Sequence, residues 1–153
     1  MAEVKKIMVA VDDSEFSHYA LQWALNNLHL FGSDVSLVLF HAQPLAVFNS
    51  AAIVGVTSPG LIETILLQQK QVSEEILARA KGICAKKNVI VETLSEIGDP
   101  KDVICDATEK LQIDLLITGS HGYGMLKRAF LGSVSNYCVQ YAKCPVLVIR
   151  KPS

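Results

Sequence analysis

Residues 115–122 read Leu-Leu-Ile-Thr-Gly-Ser-His-Gly, and residues 131–135 read Leu-Gly-Ser-Val-Ser. The first stretch is an apolar, strand-length run that stops at a glycine turn. The second opens a new helical pattern. A strand, a glycine-rich turn and a helix N-terminus in that order make an anion-binding device. Glycines let the backbone come close to an anion, and the first-turn N–H groups of a helix, which lack intrahelical partners, point at it. The hydroxyls of Ser133 and Ser135 are candidate further donors. The device predicts that a nucleotide binds here.

Outward from this point the chain alternates strands and helices. Lys6 to Asp12 (KIMVAVD) is a nearly continuous apolar run, the pattern of a strand covered on both faces. Asp13-Ser14 offers a cap, with Asp13 as the preferred candidate, and Phe16, Ala20, Ala24, Leu28 and Phe31 then recur at helical spacing. Val35 to His41 is a second buried-type strand. A helix begins at Ser58-Pro59, with Ile62, Ile65, Leu66, Val72, Ile76, Ala80 and Ile83 along one face. Val89 to Ile97 carries Glu92, Ser95 and Glu96 and is expected at a sheet edge. Asp99-Pro100 starts a short helix through Val103, Ile104, Ala107 and Leu111. The last helix runs from about Ser133 to Lys143, and Pro145 to Ile149 (PVLVI) is the last strand.

This alternation calls for one α/β domain over residues 1–153, with a five-stranded parallel sheet and right-handed crossovers. A doubly wound order of 3-2-1-4-5 makes strands 1 and 4 neighbours whose following connections leave to opposite faces. Ligands bind in the crevice that this opens at the carboxyl ends. Asp12 ends strand 1 and Gly119 ends strand 4, so both point to one crevice. Residues 43–60 lack periodicity and carry Pro44, Gly55 and Pro59. They read as a flap beside the crevice or as a docked apolar loop.

Composition bounds the partners. Half of the 153 residues are hydrophobic, 19% are charged, and the formal net charge is −1. Such a balance gives no reason to expect nucleic acid or an anionic membrane. The segment from Ala46 to Leu67 is broken by Asn49, Ser50, Pro59 and Glu63, so no membrane span is expected. Met1 to Lys6 is polar and does not read as a signal. Cys84, Cys105, Cys138 and Cys144 show neither CxxC nor metal-ligand spacing, and read as buried thiols of a reducing compartment; cytoplasm is expected.

Other phosphate motifs fail. No GxxxxGK[ST] occurs, and Gly122-x-Gly124 meets Lys127 where a dinucleotide fingerprint needs its third glycine. The combination of KIMVAVDDSE, TGSHG, LGSVS and CPVLVIR, spread over essentially the whole chain, resembles the universal stress protein family, specifically its nucleotide-binding branch. The resemblance implies a Rossmann-like fold that binds ATP or AMP and is generally homodimeric. It implies adenine contacts from Ala10, Asp12 and Ala42, and ribose contacts from Asp12 and Gly119. It implies phosphate contacts from Gly122, Gly132, Ser133, Val134 and Ser135.

Single residues leave alternatives. Asp12 is a ribose ligand or a Mg²⁺ ligand, or a strand-end carboxylate that caps the next helix. His121 is a turn residue stacking over the ligand rather than a catalytic base. His18, His29 and His41 read as surface or packed histidines. The functional expectation is a nucleotide-binding, stress-response regulatory module with at most slow ATP hydrolysis, because a phosphate-loop lysine and a water-orienting base are both lacking. The alternatives are a dimeric scaffold or chaperone-like protein without nucleotide, and a nucleotide-processing enzyme. The latter needs an HxGH or SGGxDS loop after strand 1, where this chain has Asp12-Asp13-Ser14-Glu15. Pro145 to Ile149, apolar and at the expected second edge, is the candidate homodimer strand.

Overall fold

The computed structural model describes residues 3–44, 59–121 and 131–152. Its elements are β1 (Lys6–Ala10), α1 (Glu15–Asn27) with a 3-10 turn (Leu28–Phe31), β2 (Ser36–Gln43), α2 (Pro59–Lys86), β3 (Val91–Ile97), α3 (Pro100–Lys110), β4 (Leu115–Gly119), α4 (Ser133–Tyr141) and β5 (Val146–Ile149). The strands form one parallel sheet in the order β3-β2-β1-β4-β5, as expected from the doubly wound pattern. β3 and β5 are its edges.

The central strand explains the continuous apolar runs. Ile7, Met8 and Val9 of β1 are all fully buried because helices cover both faces. Ile7 and Val9 join Leu37, Leu39, Leu115 and Ile117 in a core closed by Ala20, Leu21 and Ala24 of α1 and Ile76, Leu77 and Ala80 of α2. Met8 points the other way and joins Val38, Phe40 and Leu116 in a core closed by Ile104 and Ala107 of α3 and Cys138 of α4. Fully burying each such side chain is worth about 1.5–3 kcal/mol. Register lines up the layers, with Ile7 opposite both Leu37 and Leu115.

Two details differ from the sequence reading. The N-cap of α1 is Ser14, whose Oγ accepts the Ser17 amide at 3.1 Å, and not Asp13. Asp13 instead reaches Arg79 Nη2 at 3.2 Å, an exposed pair of small energetic weight. The apolar face of α2 is also buried for only part of its length: Ile76, Leu77, Ala80 and Cys84 are covered, but Val72 is half exposed. A 28-residue helix is ~42 Å long, whereas an eight-residue strand is ~26 Å. The helix therefore overshoots the sheet, and its first turns stand above the carboxyl ends of the strands.

The caps and thiols fit their expected roles. Asp99 caps α3, with Pro100 at its first position. All four cysteines are free. Burial pushes the Cys84 thiol up to about 11 and also raises Cys105, Cys138 and Cys144. Thiols kept protonated in this way are poor nucleophiles. The sulfurs of Cys105 and Cys138 lie 3.7 Å apart across the α3–α4 contact, close but unbonded.

Candidate functional site

β1 ends at Ala10, and the chain then turns away from the sheet. Val11 keeps one bond to β2, its amide donating to the Phe40 carbonyl at 2.8 Å. Asp12 follows. Its Oδ1 accepts the Ser14 amide at 2.8 Å, and its own amide donates to Ser17 Oγ at 2.9 Å. The carboxylate is thus held by its first oxygen in a turn that precedes α1. Among the described residues Oδ2 has no partner. The helix cap itself is Ser14, so Asp12 does not cap α1; the turn that it closes uses only one of its two oxygens.

β4 ends at Gly119, which sits against the backbone of α1. A Cβ added there would lie 2.8 Å from both the carbonyl carbon and the carbonyl oxygen of Phe16. No side chain fits, so packing alone requires this glycine. Gly132, the residue before α4, meets the same kind of limit: a Cβ would come within 3.1 Å of the Ser120 carbonyl and 3.2 Å of the His121 Cα. Its φ of −68° is ordinary, so the requirement is close approach and not an unusual dihedral.

The N-terminus of α4 is tied to the end of β4 by two bonds to one carbonyl. Gly132 N donates to Ser120 O at 2.7 Å, and Ser135 Oγ donates to the same oxygen at 2.9 Å. Ser135 is buried and its single hydroxyl proton is engaged there, so it is not the free donor that the sequence suggested. What it leaves open is its amide. Asn136 N is the first to reach back, to Gly132 O at 3.0 Å, and no side chain caps the helix among the described residues. Among the described residues the amides of Ser133, Val134 and Ser135 are therefore the unpaired first-turn donors, with the exposed Ser133 hydroxyl beside them.

His121 joins the two halves. Its ring meets Phe16 edge-on, with centroids 5.1 Å apart. Its Nδ1 is buried without a partner among the described residues.

These groups line one cleft of about 630 Å³, within the range of small-molecule sites. Ala10, Asp12, Ala42, Gly119, Gly132, Ser133, Val134 and Ser135 all border it, from four elements and the loops between them. Gly122, Lys127 and most of the segment 43–60 lie outside the described residues. The sequence reading missed Val72 and Ile76 of α2 as cleft residues, and it set His41 aside as a surface or packed histidine. His41 is buried, but it also borders the cleft. The available signal was its place near the carboxyl end of β2, where such folds put their ligands. Among the described residues no group of three His, Cys, Asp or Glu is placed to hold a metal ion, and no helix is long and apolar enough to cross a membrane.

The fold and the cleft define a doubly wound α/β domain with an open helix N-terminus at its switch point. A model of the universal stress protein family matches residues 3–150, and the chain belongs to that family. It is 30% identical to a universal stress protein A-like protein of Arabidopsis thaliana, an alignment that covers 98% of this chain and 92% of the relative. The hypothetical protein MJ0577 shares the fold, with a TM-score of 0.81 at 22% identity and 99% of each chain covered. A universal stress protein family protein from Arabidopsis thaliana, solved with AMP bound, matches with a TM-score of 0.71 at 28% identity, covering 97% of this chain and 93% of that one.

Proposed function

We propose that this cleft binds an adenine nucleotide, ATP or AMP, and that the protein is a nucleotide-binding module of the stress response. The observation that carries the reading is the N-terminus of α4, where three amides without partners among the described residues border the same cleft as Asp12. Phosphate groups fit the amides of Ser133, Val134 and Ser135, the Ser133 hydroxyl and the closely approached backbone of Gly132, with Gly122 assigned to the same end. The ribose fits between Asp12 and Gly119, where a diol can donate to the spare carboxylate oxygen. Adenine fits over Ala10 and Ala42, where apolar side chains grip a flat ring. The AMP in the similar Arabidopsis structure supports this assignment. Asp12 can lend one oxygen to a Mg²⁺ that arrives on the phosphates, but a single carboxylate does not hold the ion without them.

The cleft suits binding better than turnover. Among the described residues no lysine borders it, and no carboxylate pairs with Nδ1 of His121 to make it a base. At most slow ATP hydrolysis is expected. The edge strand β5 is the proposed homodimer contact, and the cytoplasm the proposed compartment. Native mass spectrometry of the purified protein, followed by calorimetric titration with ATP and AMP, tests ligand and oligomeric state together. A protein that carries no nucleotide and takes up neither ligand would leave the scaffold reading in its place.

A further inference from the structure

Two thiols meet across the contact between α3 and α4. Cys105 of α3 is partly exposed and Cys138 of α4 is fully buried. Their sulfurs lie 3.7 Å apart, although the residues stand 33 positions apart in the chain. Neither residue borders the cleft. Cys84 lies in the core on the other side of the sheet, and Cys144, on the same side as the pair, bonds Thr108 and the Leu116 backbone instead.

We propose that Cys105 and Cys138 form a reversible, peroxide-driven disulfide that ties α3 to α4. A disulfide is about 2.05 Å long, so sulfurs now 3.7 Å apart close by about 1.6 Å, through rotation of the two side chains. The thiols take different roles. Burial raises both, but the hydrogen bond between them lowers Cys105 and raises Cys138 further. Cys105, which solvent also reaches, therefore ionises first. Its sulfur attacks one oxygen of hydrogen peroxide, the O–O bond breaks, and water leaves behind a sulfenic acid on Cys105. The sulfur of Cys138 then attacks that of Cys105. The S–O bond breaks, and the hydroxyl group departs with the Cys138 proton as a second water. The two thiols have lost two electrons and the peroxide has gained them. Because burial holds both thiols protonated, the steps are slow and the pair answers to sustained oxidant. In a reducing compartment such a bond is transient.

Folded native protein treated with hydrogen peroxide, blocked at its remaining thiols and mapped by peptide mass spectrometry tests this. A linked pair of peptides holding Cys105 and Cys138, separated again by dithiothreitol, is expected from the native protein and from Cys144→Ser. Cys105→Ser should form no such bond. The oxidised native protein should melt roughly 5–15 °C above the reduced one, because the bond constrains the unfolded chain. Thiols at Cys105 and Cys138 that stay reduced would overturn the proposal, as would a bond from Cys105 to Cys144 or a Cys105 carried on to the sulfinic acid. A linked protein that melts no higher than the reduced form would overturn it too. Mapping of the native protein decides even where a variant does not fold. No nucleotide enters these measurements, so their outcome is independent of the reading of the cleft.

Discussion

The hydroxyl of Ser135 donates to the carbonyl of Ser120, 2.9 Å away and fifteen positions earlier in the chain. That bond assigns different work to two serines that look alike in sequence. Ser135 fixes where α4 begins, and Ser133, exposed at the first helical position, is free to meet an anion.

Ser133→Ala should weaken ATP binding by roughly tenfold to a hundredfold, since a hydrogen bond to a charged group is worth about 1.5–3 kcal/mol. Adenosine, which lacks phosphate, should lose far less. Ser135→Ala should lower stability by about 0.5–1.5 kcal/mol and affect the two ligands to a similar extent. Calorimetry with both ligands on both variants separates the roles. Equal losses for adenosine and ATP in Ser133→Ala would make that serine structural.

Gly132→Val should abolish ATP binding. The cause is crowding of Ser120 and His121 by the new side chain, because the backbone at this position is of an ordinary kind. Circular dichroism should show a folded protein. Retained ATP affinity would mean that the phosphates lie elsewhere.

Gly119→Ala should destabilise the fold itself. A methyl group 2.8 Å from the Phe16 carbonyl must push β4 and α1 apart, at a cost of about 1–3 kcal/mol. Urea unfolding measures this directly. A midpoint within error of the native one would show that the strand end yields without strain.

Asp114 accepts the amides of Lys5 and Lys6, each at 2.9 Å, and these bonds lower its carboxyl below the ordinary 3.8. A folded value below the unfolded one gives stability that is present above the unfolded value and is lost as pH falls through the folded one. Asp114→Asn should therefore be less stable than the native protein at neutral pH, with the gap closing as pH falls below the ordinary carboxylate range. Thermal midpoints across that range check it. A gap independent of pH would mean that the charge contributes nothing.

Dimerisation can be probed without disturbing the core. The carbonyls of Pro145 and Ile149 accept from Leu116 and Ser120 of the β4 side, so the peptide groups of Val146 and Val148, out of phase with them, face away from the sheet. Val148→Pro removes one outward donor and leaves the bonds to β4 in place. A dimer through this edge should dissociate in sedimentation while the monomer stays folded. An undisturbed dimer would place the contact elsewhere.

The strand order and the meeting of Asp12 with Gly119 were readable from the chain, because both follow from hydrophobic patterning and the switch-point rule. The close packing of Gly119 on Phe16, the commitment of the Ser135 hydroxyl and the choice of Ser14 over Asp13 as cap were not. Each depends on where a helix passes a strand end, to within an ångström, and no local pattern encodes that. His41 escaped for a related reason. Its period-2 position marks it as core, and only the overhang of α2 turns that part of the core into a cleft wall.

Asp114 and Lys5 stand 109 positions apart, and β1 pairs with β4 across the same span. A ribosome that has released only β1 to β3 has made half of a sheet, with Ile7 and Val9 lacking a neighbour on one flank. The walls of the cleft then belong to chain segments that have not met. Such non-local pairing closes long loops before it gains contacts, which slows folding. Helix α4 is therefore assembled among the last parts of the molecule, and a nascent chain has no complete cleft until its final third has emerged.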